Sequence, residues 1–257
     1  MVHQHALPGA DVVVSGIRLH VVTYGNGSGV PLLLLHGGDS SCHVWSDVQR
    51  TLGHRHVSHS PDLVGMGASE APVNGRYDLA SQAEIMLRLL DNLGIAKAGI
   101  VAHDVGGGVA VHLAALAPER VAALVLTGTA LHADAWPTRS VSALVAPVLS
   151  RVTGARDGPV AAERAAAARR FARAVDPTAV ESAYRIVAAS PPPTLVVWGN
   201  DDSRLSAAYG RRIAADLGAT FVPVMDAGHD LPVVRPERLA EETEAWLADL
   251  PEPADAL

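Results

Sequence analysis

An aspartate lies where an apolar run of the chain gives way to a helix-forming stretch. In AGIVAHDVGGGVAVHLA (98–114), Asp104 separates a β-type run from a series of small and apolar residues. Ala102 and Gly106, both small, lie two positions before it and two positions after it. This pattern predicts a sharp strand-to-helix turn that exposes the residue at its tip for nucleophilic attack. The tip carries a carboxylate rather than a serine or cysteine side chain.

A carboxylate at this position favours attack on a saturated carbon atom. Carboxyl groups have reference pKa values of about 3.9 and are ionised at neutral pH, so no base is needed before attack. Attack on an ester or amide would give an anhydride, which is a poor intermediate. Attack on a saturated carbon that bears a leaving group gives an alkyl ester, which activated water can hydrolyse.

The elements around this turn are predicted to alternate between strands and helices. β-type runs occur at 11–25, 31–38, 56–69, 98–102, 121–129, 194–201 and 219–226. The first run is predicted to be a hairpin that turns at Ser15 and Gly16. Helical patterns occur at 78–95, after residue 104, at 206–217 and at 235–250. This alternation predicts an α/β fold, with a mostly parallel sheet covered by helices on both faces.

Reactive side chains gather at the predicted carboxyl ends of the strands, where the active sites of open α/β sheets lie. The residues found there are His36 to Gly38, Asp62, Asp104, Asp201, Asp202 and His229. Their order, nucleophile then acid then histidine, resembles that of the α/β-hydrolase family. Five segments resemble motifs of that family in their usual places: LLLHGG, PDLVGMGAS, AHDVGGG, VVWGNDD and DAGHDLP. The resemblance covers almost the whole chain and implies the α/β-hydrolase fold.

The resemblance implies catalytic roles for three of these residues. Asp104 would be the nucleophile, His229 the base that activates water, and Asp202 the acid that orients the imidazole. The family spacing Trp-Gly-x-x-Asp favours Asp202 over Asp201 as that acid. Asp201 is then expected to cap the helix that follows.

Backbone groups near the nucleophile complete the implied site. The N–H groups of Gly38 and Val105 would form the oxyanion hole during ester hydrolysis. Asp62 is expected to brace a neighbouring loop by accepting backbone N–H groups, rather than to act in catalysis.

The neighbours of the nucleophile distinguish the family branches that carry aspartate at this position. Haloalkane dehalogenases carry a tryptophan after the nucleophile and an asparagine after the His-Gly pair. Here Val105 and Gly38 occupy those positions, so both side-chain donors to a halide are missing. The haloacetate branch carries arginines just after the nucleophile, where this chain has Val105 and Gly108. The resemblance therefore implies an epoxide hydrolase.

Epoxide opening also needs a proton donor for the leaving alkoxide. In epoxide hydrolases, cap tyrosines supply it, and Tyr184 lies in a Tyr-Arg pair that resembles the second of these segments. The family has two cap tyrosines, whereas residues 131–190 contain one. Tyr77 and Trp136 are further candidates for the second donor.

The predicted domain organisation is a core with one insertion. Residues 131–190 contain no strand-like run and include a helical stretch at 158–175. They are predicted to form a small helical cap over the ends of the sheet. Residues 1–130 and 191–257 would then form the α/β-hydrolase core.

Two alternatives to an epoxide hydrolase remain open at this point. One is a dehalogenase with a non-standard halide site. The other is a non-hydrolytic isomerase, cyclase or ligand-binding protein on the same fold, with Asp104 as a general base in the enzymatic case.

Composition limits the partners and the location that the chain can be expected to have. The net charge of -7 argues against nucleic acid and anionic membranes, and the substrate is expected to be a small apolar or polyketide-like molecule. The single cysteine, Cys42, fits a reducing compartment, and we expect a cytoplasmic monomer or homodimer. No cofactor is expected. No metal is expected either, since the histidines at 54, 56 and 59 lack companion ligands at a recognised spacing.

Overall fold

A computed structural model describes residues 6–38, 40–72, 75–136, 166 and 169–251. Within these residues eight strands form one sheet. The strands are β1 (Ala10–Val14), β2 (Ile17–Tyr24), β3 (Leu32–Leu35), β4 (Ser58–Pro61), β5 (Ala98–His103), β6 (Val121–Thr127), β7 (Thr194–Gly199) and β8 (Thr220–Val224). The helices are α1 (Ser46–Leu52), α2 (Leu79–Asn92), α3 (Val105–Leu116), α4 (Pro177–Ala189), α5 (Ala207–Leu217), α6 (Leu231–Val234) and α7 (Pro236–Ala248).

The sheet is parallel except at one edge. Its strand order is β1-β2-β4-β3-β5-β6-β7-β8, and only β1 with β2 and β2 with β4 pair antiparallel among the described strands. The predicted hairpin is confirmed, because Ser15 and Gly16 have φ angles of 51° and 80°. Two successive positive φ angles give the turn whose twist matches that of the flanking strands. The predicted α/β fold is likewise confirmed.

Successive strand residues alternate between two apolar layers, one on each face of the sheet. On β3, Leu33 and Leu35 belong to one buried cluster, and Leu32 and Leu34 belong to the other. Helices α2 to α5 supply side chains to the first cluster, whereas α1 and α7 pack on the second. With both faces covered, the carboxyl edge of the sheet is where reactive side chains can meet solvent or a ligand.

The predicted cap is partly outside the described residues, because 137–165 and 167–168 are not among them. The described end of the 131–190 segment packs against the body of the protein. Phe171 is buried, and on α4 Val180 and Val187 lie in the same apolar cluster as the central strands. Helix α4 also packs along α3. Helix α4, near the end of the 131–190 segment, therefore packs against α3 as part of the first apolar cluster.

Candidate active site

The predicted sharp turn at Asp104 is confirmed. Strand β5 ends at His103, α3 begins at Val105, and Asp104 between them has φ 53° and ψ −125°. A non-glycine residue in this region costs roughly 1–3 kcal/mol, which the surrounding packing must offset. Gly106 shows why the turn needs small residues, since a Cβ there would overlap the carbonyl oxygen of Leu35. The helix can start this close to β3 only with glycine at that position.

The carboxylate of Asp104 lies against the loop that follows β3. Its Oδ2 atom accepts a hydrogen bond from the backbone N–H of Gly38 at 3.0 Å. A Cβ on Gly37 would come within 2.8 Å of the same oxygen, so the loop approaches the carboxylate closely. Val105 is the first residue of α3, where a backbone N–H has no partner within the helix. Of the two predicted oxyanion donors, the structure thus shows Gly38 bonded to Asp104.

The histidine and its acid meet as the family spacing predicts. Nδ1 of His229 lies 2.9 Å from Oδ2 of Asp202. The other oxygen of Asp202 accepts the backbone N–H groups of Arg204 and Leu205, both at 2.8 Å. Both carboxylate oxygens are therefore held, which fixes the direction in which the imidazole points.

Asp201, the competing residue, lies on the surface. It accepts a hydrogen bond from the side chain of Asn200 at 3.3 Å. The expectation that it caps the next helix is wrong, because Ser206 is the N-cap of α5 and accepts the N–H of Ala208. The cap must directly precede the helix, and α5 begins at Ala207, five residues further along the chain than a cap at Asp201 would require.

The charges of the acid and the histidine are mutually stabilised. Burial would raise the pKa of the Asp202 carboxyl, but the hydrogen bond from His229 and two backbone N–H groups hold it below its usual value. Burial would lower the pKa of His229, but the bond to Asp202 and the nearby charge of Asp104 raise it above its ordinary value. The hydrogen bond between Asp202 and His229 therefore favours the charged form of each group.

Asp104 and His229 lie close together but are not hydrogen-bonded to each other. Nε2 of His229 lies 3.9 Å from Oδ1 of Asp104, beyond direct hydrogen-bond distance. The His229 side chain is 6% exposed and the Asp104 side chain is 26% exposed. The carboxylate is thus reachable from outside while the imidazole stays largely shielded behind it.

The hydroxyl of Tyr184, the predicted proton donor, is hydrogen-bonded to a residue outside these three. It lies on α4, is 2% exposed, and its hydroxyl donates to Oδ2 of Asp216 at 3.2 Å. Asp216 is in the last turn of α5 and also bonds Nε2 of His132 at 2.7 Å. Burial and the charge of Asp216 raise the pKa of Tyr184, so the phenol is neutral. Its hydrogen is directed at the carboxylate of Asp216 rather than at that of Asp104.

Loops around the carboxylate are braced by residues of the neighbouring strand ends. Asp62 accepts the backbone N–H of Cys42 at 2.6 Å and that of Ala68 at 2.7 Å, which confirms its expected role. His36 is fully buried and accepts the N–H of Leu63 at 3.0 Å through Nε2. The loop that carries Gly38 is in this way tied to the loop after β4.

One residue of the site was missed in the sequence. His103 directly precedes Asp104, and its Nε2 lies 2.9 Å from the backbone carbonyl oxygen of His229. A signal for it exists, because strand alternation places position 103 on the opposite face from Ala102. Its partner lies 126 residues away in sequence and could not be identified from it.

Two groups of described side chains bring possible metal ligands within 4.8 Å of one another. One group is His20, Cys42 and His43, and the other is His103, His229 and Asp230. In the second group one nitrogen of each imidazole is engaged, since Nε2 of His103 bonds a carbonyl oxygen and Nδ1 of His229 bonds Asp202.

Comparison with known proteins places this chain in a family. A family described as the alpha/beta hydrolase fold matches residues 30–154. The chain belongs to the α/β-hydrolase superfamily. The structure of this superfamily member is similar to the crystal structure of DBJA (HIS-DBJA), with a TM-score of 0.78 at 20% identity over 94% of this chain and 97% of that one. It is also similar to an alpha/beta hydrolase fold protein from Burkholderia ambifaria, with a TM-score of 0.75 at 25% identity over 94% of this chain and 99% of that one.

Curated relatives of this superfamily member match over part of their length. The soluble epoxide hydrolase of Corynebacterium sp. (strain C12) is 40% identical over 104 residues, which are 40% of this chain and 35% of that protein. The 2-hydroxymuconate semialdehyde hydrolase of Pseudomonas sp. (strain CF600) is 34% identical over 125 residues, which are 48% of this chain and 44% of that protein. The chain thus spans less than half the length of these relatives. In the described part of the chain, no helix has the length and apolar character needed to cross a membrane.

Proposed function

We propose that this chain is a hydrolase that forms a covalent ester between Asp104 and a saturated carbon of its substrate, and then hydrolyses that ester. The observation that carries the proposal is that the two oxygens of the Asp104 carboxylate have different surroundings. Oδ2 is held by the N–H of Gly38 at 3.0 Å, whereas Oδ1 faces Nε2 of His229 at 3.9 Å. The two oxygens are thus prepared for different tasks.

Oδ1 is the oxygen that attacks. It forms a bond to the substrate carbon, the bond from that carbon to the leaving group breaks, and the electron pair leaves with that group. Oδ2 then becomes the carbonyl oxygen of the new ester and remains on the Gly38 N–H. No base takes part in this step, because the attacking group already carries its negative charge.

His229 serves the second step. A water near Nε2 gives a proton to the imidazole and its oxygen attacks Cγ of Asp104. The negative charge of the tetrahedral intermediate develops on Oδ2, where the N–H of Gly38 already lies and that of Val105 is available at the start of α3. Asp202 stabilises the imidazolium, which then protonates the departing alkoxide. The second proton of the attacking water passes from the new Asp104 carboxyl group to solvent, and this restores the carboxylate.

An epoxide is the substrate that these surroundings favour. Gly38 has no side chain and Val105 has an apolar one, so neither provides a side-chain donor for a departing halide. A strained epoxide can be opened without side-chain donors at these two positions if its oxygen receives a proton or a hydrogen bond. The likeness to the soluble epoxide hydrolase of Corynebacterium, 40% identical over 104 residues, supports the same choice. We propose a small to medium apolar or polyketide-like epoxide.

The proton donor for ring opening is assigned to Tyr77 in preference to Tyr184. The hydroxyl of Tyr184 is taken up by Asp216. Tyr77 is 5% exposed, and its ring lies against Gly65 in the loop after β4, at the carboxyl edge of the sheet. Among the described residues, no hydrogen bond engages its hydroxyl. A phenol at this edge with an unused O–H is suited to donate to an epoxide oxygen.

The mechanism is tested by intact-protein mass spectrometry of the His229→Gln variant. After incubation with a panel of terminal and aryl epoxides, the variant should carry a stable adduct equal to the whole mass of one substrate. With a haloalkane, the adduct would lack the halogen, and halide would appear in solution. Asp104→Ala should show no adduct, and Asp201→Asn should turn over substrate like the parent protein.

Isotope labelling gives an independent check on the wild-type protein. During single turnover in water enriched in oxygen-18, the label should enter Asp104, because water attacks the carboxyl carbon rather than the substrate. Label found in the product alone, together with no adduct in the His229 variant, would contradict the covalent mechanism and favour Asp104 as a general base.

A further inference from the structure

His103 connects the strand that carries the nucleophile to the loop that carries the base. It is the last residue of β5, is 3% exposed, and its Nε2 lies 2.9 Å from the backbone carbonyl oxygen of His229. A carbonyl oxygen can only accept, so Nε2 of His103 carries the hydrogen and donates it. One side chain thus spans the gap between the two catalytic elements.

The contact is enclosed by a third element. Gly128, which follows β6, has φ 53°, and a Cβ on it would lie 3.2 Å from Nε2 of His103 and 3.3 Å from the carbonyl oxygen of His229. That oxygen also accepts the backbone N–H of Leu231 at 2.8 Å. The carbonyl of His229 is therefore clamped from β5 and from the start of α6, with glycine as the residue that leaves room for both.

His103 is suited to donate a hydrogen bond but not to carry charge. Its ring centroid lies 5.0 Å from that of His229. Burial and the nearby charge of His229 lower the pKa of His103 despite the opposing charges of Asp104 and Asp230. Its Nδ1 is buried and has no hydrogen-bond partner among the described residues. The ring therefore stays neutral beside a histidine that becomes cationic.

We propose that His103 is a positioning residue for His229, and that its Nε2–H holds the backbone of His229 so that the imidazole stays 3.9 Å from the nucleophile. The proposal rests on the proposed function of His229 as the base of the second step. Misplacement of a catalytic group by about 1 Å can cost roughly 100-fold in rate. The step that uses His229 should suffer when the bond is lost, and the step that does not use it should be spared.

Two variants of similar polarity separate the bond from the bulk of the ring. In His103→Gln the side-chain amide nitrogen can reach the position of Nε2, whereas in His103→Asn it reaches only the position of Nδ1. Single-turnover kinetics should show ester hydrolysis slowed roughly 100-fold in the Asn variant, with alkylation changed less than about threefold. The Gln variant should recover hydrolysis to within about tenfold of the parent rate.

A second measurement does not depend on a substrate. An NMR titration of the free protein reports the pKa of His229, which is influenced by Asp104, Asp202 and Arg204. In His103→Asn this pKa should fall toward the ordinary histidine value of about 6.5, since a displaced ring loses its bond to Asp202. In His103→Gln it should stay raised.

The outcomes distinguish the two proposals. If no ester ever forms on Asp104, the proposed function fails, and the titration still decides whether His103 positions His229. Equal behaviour of the Gln and Asn variants in the titration, or equal slowing of both kinetic steps, would overturn the positioning role. If the Asn variant does not fold, His103→Leu replaces it in the same comparison. The Leu variant also removes the side-chain donor, and the His229 carbonyl oxygen still accepts the hydrogen bond from the Leu231 N–H.

Discussion

Replacing Tyr184 by phenylalanine tests whether its hydroxyl serves catalysis or joins two helices. The change removes one hydroxyl and almost no volume, so packing should persist. In the structure the hydroxyl donates to Oδ2 of Asp216 at 3.2 Å and lies 3.5 Å from the carbonyl oxygen of Ile213. The geometry therefore predicts a loss of stability with no loss of catalysis.

The size of the stability loss follows from the surroundings of Asp216. A hydrogen bond to a charged group contributes roughly 1.5–3 kcal/mol. Two features reduce this value: the Asp216 side chain is 41% exposed, and it keeps its bond from His132 at 2.7 Å. Water and His132 can satisfy the carboxylate after the phenol is removed. We expect a loss of about 1 kcal/mol in the free energy of unfolding, and a fall in Tm of roughly 2–4 °C for a chain of this size.

The assay measures Tm by thermal unfolding and the alkylation rate by single-turnover mass spectrometry. Alkylation by Tyr184→Phe should stay within about twofold of the parent rate. Tyr77→Phe is the matched control, because it removes the same group and should slow alkylation roughly 100-fold, the usual size of one general-acid contribution. An unchanged Tm with a 100-fold slower alkylation in Tyr184→Phe would refute the geometric argument and restore Tyr184 as the proton donor.

Further predictions concern Asp104 as the proposed nucleophile, His229 as the proposed base, and the turn at Asp104. Asp104→Ala should retain less than about a hundredth of the parent turnover rate in a steady-state assay, since loss of a covalent nucleophile costs at least that much. The rate of ester hydrolysis should fall with decreasing pH from above the ordinary histidine value, because the raised pKa of His229 leaves less of the neutral base at each pH; in Asp202→Asn this acid limb should move to lower pH in a single-turnover pH profile. Gly106→Ala should lower the free energy of unfolding by roughly 3 kcal/mol or more in a urea titration, the upper range for overpacking, because the new Cβ meets backbone at the end of β3. In Gly94→Ala the new Cβ would meet open space, so the free energy of unfolding should fall by only about 1–2 kcal/mol, which is the cost of an alanine at the positive φ of this position.

Local patterns in the sequence were sufficient for the fold, and the family resemblance implied the relation of Asp104, Asp202 and His229. The alternation of residues 32–35 between two apolar layers follows directly from the two-residue period of a strand. The turn at Asp104 depends on small neighbours within two positions. The choice of Asp202 over Asp201 depends on a short spacing after β7. Each of these features is encoded within one element and its adjoining loop, so the linear sequence specifies it.

Contacts between distant elements were decided by the tertiary structure alone. Tyr184 is 32 residues from Asp216, and the direction of its hydroxyl depends on how α4 packs beside α5. His103 meets the carbonyl of His229 across 126 residues, at a point where the ends of β5 and β6 and the loop after β8 converge. A side-chain hydrogen bond requires its two atoms to lie within about 3 Å with suitable direction. Sequence patterns predict which elements are neighbours. The distance between two side-chain atoms is set only by the packing of the side chains, because this packing fixes the translation and rotation of each element relative to its neighbour.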